Sequence, residues 1–188
     1  MLAAGAASRF GGGKLLHAVA GDVPLGLLAW RNLHVALADT IVVLRPDDAK
    51  LAQLFSQAQA DVVLCPDARL GMGHSLACGV AARPAASGWI IALADMPNVR
   101  PETITAIAMQ LYEGAGIVVP VFQGQRGHPV GFHRRYLEAL LRLRGDAGAR
   151  SLLQSHDSDI RRISVEDAGV LQDIDTREDA QRFASMRS

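Results

Sequence analysis

The sequence predicts an α/β domain built on a mainly parallel sheet, and three observations carry that reading. Four short runs are apolar without alternation, as strands covered on both faces should be. Between them lie stretches with apolar residues at helical spacing. No repeat, linker or low-complexity tract divides the 188 residues, so a single domain over 1–188 is expected.

In chain order, residues 25–37 carry a helical pattern, and Thr40 to Arg45 form the first strand-like run, closed by Pro46. Residues 47–58 read as a helix with Asp47 and Asp48 in its first turn. Asp61 to Cys65 is the next strand, closed by Pro66, and Trp89 to Ala94 the third, stopped by Asp95-Met-Pro97. Pro101 suits the first position of a helix reaching Tyr112, with Glu102 beside its positive end. Gly116 to Phe122 is the fourth strand. Helical patterns follow at 134–143 and 176–186; Thr176 can cap the second, with Asp179 in the place of the capping-box Glu. Short strands at 160–165 and 170–174 are placed at a sheet edge.

Composition narrows the function. Nineteen basic and nineteen acidic residues cancel, and no basic stripe is present, which excludes a bulk nucleic-acid binder. No apolar stretch approaches the ~20 residues of a membrane helix. No charged segment followed by an apolar one opens the chain, and Cys65 and Cys78 make neither a disulfide framework nor a zinc motif. A cytoplasmic protein is expected.

In open α/β sheets ligands bind beyond the carboxyl ends of the strands. The opening segment Leu2-Ala-Ala-Gly5, with Arg9, Gly11-Gly-Gly13 and Lys14, can cradle phosphate oxygens on backbone N–H groups, with two cations beside them. Lys14 stands out in a chain with 17 arginines and 2 lysines. Neither the P-loop nor the dinucleotide fingerprint fits, because Leu15 follows Lys14 and position 16 is leucine. Gly71-Met-Gly73-His-Ser75 reads as a glycine-rich turn into a helix, with free N–H groups and Ser75 as cap or donor. Asp95 ends the most apolar strand, where a carboxylate can hold Mg²⁺. His128-Pro129 and Gly145-Asp146 with Arg150 lie on later loops, and Asp173-Ile-Asp175 precedes the last helix. Alone, each has a plain structural reading: a flexible tail, a loop and cap, a solvated turn, a structural histidine or an acidic helix start.

Together these segments resemble the nucleotidyltransferases of molybdenum cofactor biosynthesis, and the cytidylyltransferase branch most closely. The resemblance runs from Leu2-Ala-Ala-Gly5 with Arg9, Gly11 and Lys14, through Gly71-Met-Gly73, Leu93-Ala-Asp95-Met-Pro97, Gly127-His-Pro-Val130 and Gly145-Asp-Ala-Gly-Ala-Arg150, to Asp173-Ile-Asp175. Two substitutions depart from that pattern: Ala7 stands where the family often has serine, and Arg177 where it has proline. Only Met1 precedes the loop, so the first strand is expected to be truncated.

The resemblance implies a Rossmann-like three-layer nucleotidyltransferase fold. It also implies transfer of CMP from CTP to molybdopterin, giving molybdopterin cytosine dinucleotide and pyrophosphate. Lys14, Arg9 and Asp95 would be catalytic, and Leu2, Ala3, Ala4, Gly5, Arg9, Lys14, Gly73 and Ser75 would bind nucleotide. His128, Pro129 and Arg150 would bind the acceptor, and Asp95 and Asp175 would hold Mg²⁺. A molybdenum hydroxylase would be the recipient. Two further readings stay open: a GTP-using or sugar- or polyol-phosphate transferase, and a non-catalytic cofactor-binding maturation factor.

Overall fold

A computed structural model describes residues 1–5 and 8–185 of the chain. Ala7 and the Met186 end of the last expected helix lie outside the described residues. The strands are β1 (Ala18–Ala20), β2 (Val23–Pro24), β3 (Ile41–Leu44), β4 (Asp61–Leu64), β5 (Gly88–Ile91), β6 (Ile117–Phe122), β7 (Gln125–Arg126), β8 (Val130–His133) and β9 (Ile160–Ser164). The helices are α1 (Leu25–Ala36), α2 (Ala49–Gln57), α3 (Met72–Ala81), α4 (Pro101–Tyr112), α5 (Leu137–Leu141), α6 (Arg150–Ser155) and α7 (Arg177–Ser185).

β3 and β4 pair in parallel, from Ile41 opposite Asp61 to Leu44 opposite Leu64. Residues 1–3 lie against the other edge of β3. Ala3 N donates to Val43 O at 3.0 Å and Val43 N to Met1 O at 2.9 Å. On their far side Leu2 N donates to Ala92 O at 2.8 Å and Ala94 N to Leu2 O at 3.0 Å. Leu2 therefore bridges Val43 and Leu93, both in parallel, and links the two halves of the fold.

The second half is mixed. β8 lies antiparallel between β5 and β6, β7 forms a hairpin with β6, and β9 runs parallel to β6 at an edge. The sheet as a whole is mostly parallel, with β8 as the main departure. Sequence reading places His128-Pro129 on a later loop and gives the residues after it, Gly131 among them, no strand. The structure explains that glycine: a Cβ there would lie 2.7 Å from Ile107 and 2.9 Å from Leu111, where α4 crosses the sheet. The 170–174 segment is not a strand either. A 3-10 turn over Ala168–Leu171 leads into irregular chain there.

Alternation along the strands shows that both faces are covered. Val42 and Leu44 join a core with Leu25, Trp30, Phe55 and Ile104, while Val43 faces Ala4, Cys65 and Ala68. Ile117 and Val119 pack with Val80, Phe132 and Leu140, whereas Val118 meets Ile107 and Leu111 of α4. Three layers result, as the continuous apolar runs require. At α7 the expected cap forms: Asp179 N donates to Thr176 Oγ1 at 3.1 Å, and Thr176 N to Asp179 Oδ2 at 2.9 Å.

One buried carboxylate ties α4 to the chain that follows β9. Asp167, 3% exposed, accepts from Arg100 N at 2.9 Å, Thr103 Oγ1 at 2.7 Å and Gly169 N at 3.0 Å. Asp167→Ala leaves these donors without their acceptor and is expected to lower unfolding free energy by about 2–4 kcal/mol. Urea denaturation at neutral pH measures this, and a loss under about 1 kcal/mol would mean that solvent replaces the carboxylate.

Candidate active site

The glycine-rich loop is anchored. A 3-10 turn over Ser8–Phe10 is followed by Gly11, Gly12 and Gly13 at φ 81, 91 and 67°, and then by a second 3-10 turn over Lys14–Leu16. Three successive residues in the left-handed region strongly favour glycine, which has no Cβ to clash. Phe10 and Leu15 are buried on either side. Phe10 stacks edge-on to His17 at 5.3 Å, and the Arg177 guanidinium lies 5.4 Å from its ring centre. Arg177 thus pins the loop to α7.

That anchoring directs Lys14 inward. Its Nζ donates to Asp95 Oδ2 at 2.8 Å and to Asp175 Oδ1 at 3.0 Å, and its side chain is 8% exposed. Arg9 donates to the other oxygen of Asp175 at 2.8 Å. Two further contacts bring the carboxylates together. Ile174 N donates to Asp95 O at 2.9 Å, so the chain entering α7 is stitched to the end of the third strand-like run. Asn32 of α1 donates to Pro97 O at 2.9 Å and to Val99 O at 3.1 Å, holding the turn after Asp95. Asn32 escaped the sequence reading; its one signal is an amide on a mostly apolar helix.

Charge follows geometry. Burial pulls the Lys14 pKa down, but hydrogen bonds and attraction from Asp95 and then Asp175 outweigh it, and the net shift is upward. The Lys14 hydrogen bond holds the Asp175 carboxyl below its ordinary range; burial opposes this, and Arg9 adds to it. Asp95 and Asp175 therefore converge on one positive centre. Such a pair of hard oxygen donors fits Mg²⁺, which also keeps waters or phosphate oxygens. Among the described residues no group of three His, Cys, Asp or Glu side chains could hold a metal.

His128 stands on the same side. Its pKa is lowered by burial, with attraction from Asp95 and Asp173 opposing. Its backbone N donates to Val170 O at 2.9 Å. Among the described residues its Nδ1 is buried without a hydrogen-bond partner. Pro129 is buried beside it and lines a small pocket with Leu93 and Met96.

Other candidates are placed differently. Leu2 and Ala3 spend their backbone N–H groups in the sheet, and Ala4 is buried against Val43. Gly5 is exposed. Gly73 N is not free, because it donates to Gly145 O at 2.8 Å. A Cβ on Gly73 would lie 2.8 Å from the Arg144 backbone, so this glycine permits close contact between two loops. Gly145 N returns a bond to His74 Nδ1 at 3.3 Å. Ser75 is buried within α3 and is not its cap; Gly71 holds that position. Arg150 is exposed at the start of α6.

A glycine-rich loop, an inward lysine and paired aspartates beyond the parallel strands define a nucleotidyltransferase. The chain matches the MobA-like NTP transferase domain over residues 1–160 and belongs to that family. It is 32% identical over 189 residues to the purine catabolism protein PucB of Bacillus subtilis, covering 95% of this chain and 91% of that one. The crystal structure of Rv0371c from Mycobacterium tuberculosis superposes with a TM-score of 0.83 at 29% identity, covering 98% of this chain and 95% of that one. A complex of Rv0371c with manganese superposes at 0.79, with 28% identity and the same coverage. None of the described helices is long and apolar enough to cross a membrane.

The Asp175 shift sets a pH dependence. Its folded pKa is depressed, so its contribution to stability is present above the ordinary value of 3.8 and is lost as pH falls through the folded value. Asp175→Asn is expected to be less stable than the parent at pH 7, with the gap closing below pH 3.8. Urea midpoints across pH 3 to 7, roughly the carboxylate range, check this; a gap constant with pH would remove the Lys14–Asp175 pair as its source.

Proposed function

We propose that the chain transfers CMP from CTP to the terminal phosphate of molybdopterin, releasing pyrophosphate. The observation that carries nucleotidyl transfer is the convergence of Lys14, Arg9, Asp95 and Asp175. The choice of CTP and molybdopterin rests on the sequence pattern. The relative named for purine catabolism is compatible with a recipient that is a molybdenum hydroxylase.

Both reactants are anionic and repel each other as they approach. Asp95 and Asp175 would hold Mg²⁺, which when bound offsets charge on phosphate oxygens. Lys14 has a flexible stem and can turn from carboxylate to phosphate, placing its ammonium where charge develops on the α-phosphoryl group. Arg9, whose side chain is 78% exposed, can swing from Asp175 to the pyrophosphate. The glycines at 11–13 let the backbone approach the triphosphate closely. His128, kept neutral by burial, can hydrogen-bond an acceptor oxygen. The attacking phosphate is ionised at neutral pH and needs no base.

Pyrophosphate release with CTP, molybdopterin and Mg²⁺ tests the proposal. Release with GTP but not CTP would shift the base assignment, and release with neither would reject molybdopterin as acceptor. Lys14→Ala is expected to lower turnover about 10²–10³-fold, the usual loss for one preorganised donor. Turnover within about threefold of the parent would take Lys14 out of the chemistry. Asp95→Asn is expected to flatten the Mg²⁺ dependence of the rate, and an unchanged magnesium titration would count against it as a ligand.

A further inference from the structure

Lys14 and Arg9 close the paired aspartates from two sides. Asp95 Oδ2 and Asp175 Oδ1 accept from Lys14 Nζ at 2.8 and 3.0 Å, and Asp175 Oδ2 accepts from Arg9 at 2.8 Å. Both oxygens of Asp175 and one of Asp95 are therefore in use. Two cations and two carboxylates leave the set without net charge. A divalent ion bound to both aspartates needs the same oxygens, and it brings its charge beside an ammonium whose side chain is 8% exposed. We propose that Lys14 and Arg9 are a gate on the metal site: their contacts shut the carboxylate pair to free divalent cation, and a nucleoside triphosphate opens it by drawing both side chains onto its own oxygens. The gate rests on the reading of Asp95 and Asp175 as metal ligands.

The two halves of the gate differ in strength. Arg9 is exposed, and an exposed ion pair holds weakly because water competes for both partners. Lys14 is held at two points and nearly buried, and stripping a buried ammonium of its partners costs far more. A hydrated divalent cation repels Lys14 and offers it nothing in exchange. A triphosphate offers anionic oxygens, so Lys14 passes from one anion to the next. The loop leaves room for that exchange. Among the described residues, a Cβ on Gly11, Gly12 or Gly13 would meet no atom within 4 Å, whereas Phe10 and Leu15 on either side are buried. The backbone stays anchored while the flexible stem of Lys14 turns. Linkage makes the coupling mutual: the factor by which triphosphate favours metal is the factor by which metal favours triphosphate. Metal and nucleotide then bind together, and neither is held well alone.

Binding of Mn²⁺ alone, read by loss of the free-ion electron paramagnetic resonance signal, tests the gate without turnover. Lys14→Gln is expected to bind Mn²⁺ at least about tenfold more tightly than the parent. Arg9→Gln is expected to bind it about two- to fivefold more tightly. Equal affinity in the parent and Lys14→Gln would overturn the gate. Arg9 lies at the surface, so if Lys14→Gln does not fold, Arg9→Gln decides, and an unchanged affinity overturns the proposal. Adding Asp95→Asn to Lys14→Gln should abolish the gain. A gain that survives it would overturn the gate and the metal reading of Asp95 together. Equal affinities in the parent and Lys14→Gln, both lost with Asp95→Asn, would overturn the gate alone. In calorimetric titrations with CTP, Mn²⁺ should tighten binding to the parent at least about tenfold more than binding to Lys14→Gln. Chelation in solution is the same for both proteins and cancels. An equal effect of Mn²⁺ on the two would overturn opening by the triphosphate.

Discussion

Lys14 is buried with two carboxylates within hydrogen-bond reach, and three segments distant in the chain meet through it. An ammonium in that position without partners would be costly, and a carboxylate pair without a cation would repel. The contact therefore constrains the neighbouring backbone. The glycine loop must turn through three left-handed residues to deliver the lysine, and the chain before α7 must lie along Asp95 to deliver Asp175. Phe10, clasped between His17 and Arg177, keeps the loop from relaxing outward.

The sheet sets the positions of these parts. Leu2 is held between Val43 and Leu93, so the loop starts at the carboxyl end of a parallel set, beside the strand end that bears Asp95. The antiparallel β8 then brings His128 and Pro129 to the same side, where Val170 O takes the His128 N–H. Across the molecule the Gly71–His74 turn and the Gly145 loop engage each other through backbone and side-chain bonds. Their glycines serve loop-to-loop packing in this structure.

Much of the fold was legible because burial on both faces writes itself as continuous apolar runs. Residues 41–44, 61–64 and 117–122 form strands within the ranges read from the chain, and α4 has the bounds expected of it, Pro101 to Tyr112. β8 was hidden because its glycine answers to a helix crossing over it, a tertiary demand with no local signature. The strap at 170–174 resembles a strand in composition, yet Ile174 N goes to Asp95 O, Val170 O accepts from His128 N, and Val170 N and Gln172 N turn back to Asp167 O and Gly169 O rather than into a ladder. In the site, Lys14, Asp95 and Asp175 could be picked out by residue type and order. The exclusion of Gly73 N and the roles of Asn32 and Arg177 depend on partners 65 or more residues away along the chain, which spacing does not reveal.

Calorimetric titration of the chain with CTP and with GTP, each with and without Mg²⁺, tests the central claim most directly. The account expects CTP binding that requires Mg²⁺ and is at least about tenfold tighter than GTP, about 1.4 kcal/mol. CTP binding unaffected by Mg²⁺, or no binding of either nucleotide, would contradict the assignment of Asp95, Asp175 and Lys14 to a shared metal and phosphate site.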